Sequence, residues 1–276
     1  MKNSFSVLCS LYFAEKPDFL TSALKSIEAQ SIQPDEVVVV QDGPLTNELL
    51  DVINAWKSRL PITTVVMEEN VGLGKALNKG LSVCRNELVA RIDTDDINRP
   101  NRFELQLAEF ANDSSLAIVG SAIEEFNLLP GDLGLVRQGA ITDSIKKQSV
   151  YKNPFNHMTV MFKKSLVLEV GSYQELHFME DYSLWLRMIA AGYTTKNQEQ
   201  VLVDARIGNG MIARRLGVKY VNSEYLLLRL KQKLKIASPF KLLVSFILRS
   251  CTRVLPVRVM SRIYKILLRK KARVCK

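Results

Sequence analysis

A chain of 276 residues, 47% of them hydrophobic, has the length and apolar content for one large domain or a core domain with an appendage, and is globular rather than disordered. Its formal net charge of +10 is unevenly spread: residues 206–276 hold 19 of the 38 Lys and Arg but only one of the 28 acids, Glu224, so the first 205 residues carry about −8 and the rest about +18. The longest apolar stretch of that basic tail, Leu242 to Leu248 between Lys241 and Arg249, falls far short of the ~20 residues that cross a bilayer.

In chain order, Phe5 to Leu11 reads as a short apolar strand. Glu15, Lys16 and Asp18 follow it too soon for a signal peptide, which points to a cytoplasmic protein. Leu20, Ala23, Leu24 and Ile27 give residues 19–30 the period of an amphipathic helix. Glu36 to Val40 is a β-branched run without alternation, as in a strand buried on both faces, and it stops at the turn Asp42-Gly43-Pro44. A helix over about 45–59, a strand over 62–67, a helix over 72–84 and a strand over 88–92 complete an alternation that predicts a parallel, doubly wound α/β sheet. Ligands of such sheets bind outside the carboxyl ends of the strands. Tyr12, Asp42, Glu69 with Asn70, and Asp93 to Asp96 should therefore line one edge.

Three carboxylates in four positions, Asp93, Asp95 and Asp96, stand at the end of the last of these strands. Acids so crowded repel one another, and a hard divalent cation such as Mg²⁺ or Mn²⁺ would reconcile them; a solvated acidic turn is the plainer alternative. Arg91 just before them suits a phosphate or a carboxylate partner. Asp42 suits hydrogen bonds to a base or ribose, or merely caps its turn. In Asn70 to Gly80, glycines at a loop-to-helix junction and Lys75 one turn inside suit an anion, although the spacing is not that of a P-loop and turn geometry alone would also use those glycines.

Farther on, Glu180 and Asp181 open a predicted helix, where acids are common for dipole reasons alone. Asp181 and Trp185 are spaced i, i+4 and share a face, which would set a general base beside a flat, sugar-sized ring. His157 suits an acceptor or phosphate contact and equally the cap of a strand. Cys9, Cys84, Cys251 and Cys275 lack metal or redox spacing and read as reduced thiols. In residues 238–272, Phe240, Leu242, Leu243, Phe246, Ile247, Val254, Leu255, Val259, Ile263, Ile266 and Leu267 recur among Lys and Arg, the pattern of a helix on an anionic membrane surface rather than of a nucleic-acid arm. A solvated face over the core is the alternative.

Taken together, Ser6-Val7 to Tyr12, Ala23 to Ile27 with Gln30, Glu36 to Gly43, Asn70 to Gly80, Arg91 to Asp96 with Pro100 and Arg102-Phe103, and Glu180-Asp181 with Trp185 resemble an inverting family 2 glycosyltransferase of the type A fold. The resemblance covers about residues 4–205, more weakly 206–230. It is narrower toward bacterial enzymes of O-antigen, capsule or exopolysaccharide assembly on a polyprenyl-diphosphate carrier, where Asn153 to His157, Gly171 to Tyr173, Gly208 to Met211 and Arg214-Arg215 also have counterparts.

The resemblance implies a GT-A-like mixed sheet as a single catalytic domain over 1–205, divided into a nucleotide-sugar half (1–100) and an acceptor half (101–205), with a basic helical tail from 206 to 276. It implies a UDP-sugar donor, UDP-glucose or UDP-galactose, contacted by Tyr12, Asp42, Asn70, Lys75, Arg91 and Asp93. Mn²⁺ or Mg²⁺ would sit on Asp95 and Asp96, Asp181 would be the base with Glu180 as its understudy, and Trp185 and His157 would meet the acceptor. The tail would hold the enzyme peripherally on the inner leaflet. The alternatives are a sugar-phosphate nucleotidyltransferase and a nonenzymatic basic membrane-binding protein.

Overall fold

The computed structural model describes residues 4–207 and 217–253, and the backbone alone of 270–271. Gly208 to Met211, Arg214-Arg215, the apolar positions from Val254 to Leu267, and Cys275 lie outside the described residues. The first half follows the expected alternation: β1 (Phe5–Leu11), α1 (Pro17–Glu28), β2 (Glu36–Gln41), α2 (Asn47–Trp56), β3 (Ile62–Val66), α3 (Leu73–Val83) and β4 (Leu88–Arg91). The four strands are parallel in the order β4-β1-β2-β3, with Val7 opposite Val37 on one side and Ala90 on the other.

Burial on both faces explains the unbroken valine run. Val37 and Val39 pack with Leu24, Ile27, Leu49 and Ile53 of α1 and α2, whereas Val38 and Val40 pack with Ala76, Leu77 and Leu81 of α3. The helix α3 lies so near the sheet that a Cβ on Gly80 would stand 2.5 Å from Val40 Cγ2 and nearer still to Leu8. Gly80→Ala is therefore expected to lower stability by about 1–2 kcal/mol despite the better helix propensity of alanine, read as a lower urea midpoint at unchanged m-value.

The second half makes the sheet mixed. It contributes β5 (Ile97–Asn98), α4 (Arg102–Asn112), β6 (Leu116–Phe126), β7 (Leu135–Arg137), α5 (Ile145–Gln148), β8 (Met161–Lys163), α6 (Lys164–Glu169), α7 (Glu180–Ala190) and β9 (Thr194–Arg206). β8 enters antiparallel between β4 and β6, and β6 forms a long parallel pair with β9. β5 pairs with the far end of β9, Ile97 opposite Asp204, which brings that end beside the acidic loop.

Two helices, α8 (Val218–Lys233) and α9 (Pro239–Arg253), follow, and the pair of residues Lys270–Lys271 (β10) adds antiparallel to β7. Leu227, Leu228 and Leu242 join Met179, Tyr182 and Leu186 in a third apolar cluster that seats the helices against α7. Here the structure corrects the expectation of a basic surface throughout the tail. Lys231 is 3% exposed and Arg253 6%, and buried Glu224 accepts from Arg249 Nε at 2.6 Å and from Arg253 Nη2 at 3.0 Å. These cations are inside because an acid and backbone carbonyls receive them, as buried charge requires. The opposite side of α9 leaves Phe240, Leu243, Ile247 and Leu248 exposed. Among the described residues, no helix is long and apolar enough to cross a membrane.

Candidate active site

The strand ends gather at one edge. Asp42 N–H donates to Leu11 O at 2.7 Å, which sets Asp42 beside half-exposed Tyr12. The Asp42 carboxylate accepts from Val71 N–H at 2.7 Å and Gly72 N–H at 3.2 Å, while Asn70 Nδ2 donates to Asp42 O at 3.1 Å. Gly43 has φ +84°, and a Cβ there would stand 2.7 Å from Asn70 N, so glycine lets the two loops touch. Asp42 thus fixes the entry to α3 as well as ending β2. Lys75 is exposed, and its ammonium lies 3.5 Å from Glu175.

The acidic loop is held from several directions. Arg102, fully buried at the start of α4, donates to Arg91 O at 2.7 Å and to the Asn98 amide oxygen. Gln30 Nε2 donates to Arg99 O at 2.8 Å, and Asn98 N–H donates to Ser26 Oγ at 3.0 Å, tying the loop to α1. Arg206, at the end of β9, donates from its backbone to Asp96 Oδ1 at 2.8 Å and from Nε to Asp95 O at 3.2 Å, its guanidinium lying 3.8 Å over the Phe19 ring.

Within that frame, oxygens of Asp93, Asp95 and Asp96 lie within 4.8 Å of one another. Burial, with Asp93 and Glu15 nearby, pushes Asp95 up to about 7; burial and the neighbouring Asp93 and Asp95 carboxylates push Asp96 well above the usual range. Asp96 Oδ2 is buried with no hydrogen-bond partner among the described residues. All-oxygen donors, mutual repulsion and an orphaned buried oxygen fit a hard divalent cation. Arg91 forms an ion pair with Asp93, and its buried Nε and Nη1 have no hydrogen-bond partner among the described residues, leaving donors for an anion.

Opposite, α7 begins at Glu180, whose methylene Cγ lies 3.1 Å from where a Cβ on Gly74 would stand, so the starts of α3 and α7 meet. Burial raises the Glu180 carboxyl above its ordinary range. Asp181 Oδ1 accepts from Tyr182 N–H at 2.7 Å and Oδ2 from Asn153 Nδ2 at 2.6 Å. A half-buried carboxylate oriented through both oxygens at the rim of the core is suited to receive a proton.

One expectation is corrected. Trp185 is fully buried, edge-on to Phe155 at 5.7 Å and to His157 at 6.0 Å, and offers no face to an acceptor. One helical turn below Asp181, the shared face has already passed from the rim into the core. His157 is half-buried behind it, its Nε2 2.9 Å from Tyr173 Oη, and burial together with the nearby Arg91 cation holds the imidazole neutral, well below its usual range. It braces Tyr173 beside the site. Asn153, Tyr173, Glu15 and Arg206 carry contacts of the site that the sequence did not assign to them; Asn153 and Tyr173 stood out only as parts of segments with counterparts in the family, and Glu15 and Arg206 carried no such signal.

A family model, Glycosyl transferase family 2, matches residues 6–164, more than half of the chain. The amylovoran biosynthesis glycosyltransferase AmsE of Erwinia amylovora is 42% identical, the match covering 95% of this chain and 98% of that protein. A UDP-Gal:alpha-D-GlcNAc-diphosphoundecaprenol beta-1,3-galactosyltransferase of Escherichia coli is 40% identical over 96% of this chain and 97% of its own. Among solved structures, S. aureus TarS 1–349 in complex with UDP-GlcNAc aligns with TM-score 0.67 and 19% identity, covering 96% of this chain and 76% of that one. A mannosyltransferase of Pyrobaculum calidifontis in complex with GDP-Man and Mn²⁺ aligns at TM-score 0.61 and 18% identity, over 94% and 78%. These two share the fold; the first two are alike from end to end, and by that likeness the chain is a glycosyltransferase belonging to glycosyl transferase family 2.

Proposed function

We propose that the enzyme transfers one hexose from UDP-galactose or UDP-glucose, with inversion, to a sugar carried on polyprenyl diphosphate, in the assembly of a bacterial surface-polysaccharide repeat unit. The convergence of Asp93, Asp95 and Asp96 at the strand edge carries this reading, and the 40% identical galactosyltransferase supports its donor and acceptor. Family membership leaves no place for a nucleotidyltransferase or a nonenzymatic protein.

In this reading Asp181 takes the proton of the acceptor hydroxyl as that oxygen bonds to the anomeric carbon; the C–O bond to UDP breaks on the opposite face, its electron pair leaving with the diphosphate. Asp95 and Asp96, with Asp93, would hold Mn²⁺ or Mg²⁺, which when bound supplies positive charge to the departing diphosphate. The Arg91 guanidinium, paired with Asp93, adds fixed positive charge beside the same loop. Protons on the interacting Asp95 and Asp96 carboxyls compete with the cation, so Mn²⁺ affinity is expected to rise by about tenfold or more per pH unit as the pH climbs through about 7. Calorimetric titrations between pH 6 and 8 in buffers of different ionisation enthalpy would show the binding and its proton release; pH-independent affinity would remove Asp95 from the ligand set.

The basic tail and the exposed Phe240, Leu243, Ile247 and Leu248 support contact with anionic lipid, where the acceptor resides, at about 1 kcal/mol per well-placed Lys or Arg. The test is transfer by purified protein from a panel of UDP-sugars to a GlcNAc-diphosphate-lipid in anionic or neutral vesicles, with and without Mn²⁺. Expected is a β-linked hexose product that requires the metal and forms faster on anionic vesicles. No product from any UDP-sugar, and no metal-dependent UDP binding, would overturn the reading.

A further inference from the structure

Three consecutive backbone carbonyls between α5 and Asn153 are held by side chains from three separate helices. Ser149 O accepts from Tyr182 Oη of α7 at 2.6 Å. Val150 O accepts from Lys231 Nζ of α8 at 2.7 Å and from Ser245 Oγ of α9 at 2.6 Å. Tyr151 O accepts from Arg249 Nη1 of α9 at 3.0 Å. Lys231 Nζ also donates to Tyr182 Oη at 3.0 Å, closing the set.

Both ends of this set run to Asp181. Asn153, two residues beyond Tyr151, donates to Asp181 Oδ2, and Tyr182 is the next residue in α7, its N–H on Oδ1. Asn153 is itself fixed by accepting from Phe155 N–H at 3.3 Å. An ammonium buried to 3% exposure is costly, and an apolar side chain would fill the same space in an apolar cluster without that cost. What lysine adds here is direction: donors aimed at one carbonyl and one phenol oxygen. Glu224 within the same joint, bound by Arg249 and Arg253, offsets part of the local positive charge.

We infer that the α8–α9 pair is a positioning clasp for the catalytic base: Lys231, Ser245 and Arg249 fix the 149–151 turn so that Asn153 meets Asp181 at the angle proton transfer needs. The inference rests on the reading of Asp181 as the base. The polar contacts of the clasp go to the 149–151 turn, Tyr182 and Glu224 rather than to the Asp42, Asn70 or Asp93–Asp96 loops, so the clasp acts on turnover and not on donor binding.

The test uses the full chain carrying Lys231→Met, Lys231→Arg, Ser245→Ala or Asp181→Asn, with kcat, the KM for the UDP-sugar and the Kd of UDP with Mn²⁺ measured well below each melting temperature. Lys231→Met is expected to lower kcat by about tenfold to a hundredfold with UDP-sugar KM and UDP affinity unchanged, Ser245→Ala by about threefold in the same sense, and Lys231→Arg to recover most of the loss. If Lys231→Met does not fold, the kcat values of Ser245→Ala and Lys231→Arg decide for or against the clasp. Wild-type kcat in folded Lys231→Met or Ser245→Ala, or losses shared equally by kcat and UDP affinity, would overturn the clasp while an inactive Asp181→Asn leaves the base in place. An active Asp181→Asn would overturn both.

Discussion

Asp181→Asn is expected to lower kcat for sugar transfer by about 10²–10⁴ while leaving the KM for the donor within about twofold. The substitution keeps the size of the side chain and an oxygen for Tyr182 N–H, and Asn153 can turn its amide over to meet the new one at the expense of its long bond from Phe155 N–H. What is lost is the capacity to take a proton. Glu180→Gln serves as the contrast: the Glu180 stem lies against Gly74 at the start of α3, and its head is held by the backbone N–H groups of Phe178 and Glu180, which an amide oxygen can also satisfy, so a loss below about tenfold is expected. Initial rates at saturating donor and acceptor check both, and the reverse order of effects would make Glu180 the base.

The second large effect is at Asp95. Asp95→Ala is expected to abolish the Mn²⁺-induced rise in melting temperature and to lower kcat/KM by roughly 10³, equivalent to about 4 kcal/mol of charge stabilisation. The metal-free variant carries an opposite sign. Burial and the neighbouring Asp93 and Glu15 carboxylates strain Asp95 in the metal-free protein, so removing it is expected to raise the melting temperature without metal, by about 2–4 °C per kcal/mol relieved in a chain of this size. Thermal melts with EDTA or Mn²⁺ separate the two effects. A variant that melts lower without metal and still responds to Mn²⁺ would show Asp95 to be a structural residue.

Local pattern made the first half of the molecule legible. Val37 to Val40 could only be a doubly covered strand, the apolar periods of α1 and α3 matched their buried faces, and the strand-end rule brought Asp42 and Asp93–Asp96 to one edge. The second half depends on pairings that no local pattern carries. β8 lies between β4 and β6, and the bonds that finish the site join Asn153 to Asp181 and Asp96 to Arg206 across 28 and 110 residues. Helical spacing places Trp185 on the face of Asp181 but says nothing of depth, which is why a core residue read as an acceptor platform. Counting charge likewise tells how basic the tail is, not that Lys231 and Arg253 turn inward.

The grip of α8 and α9 on the 149–151 turn also bears on when the protein first becomes active. A ribosome delivers the sheet, the acidic loop and Asp181 before it delivers Lys231, Ser245 and Arg249, and domains begin to fold as they emerge. On the inferred clasp, a nascent chain that has already assembled its donor edge still lacks a fixed base. Biosynthesis itself would then withhold turnover until α9 leaves the exit tunnel.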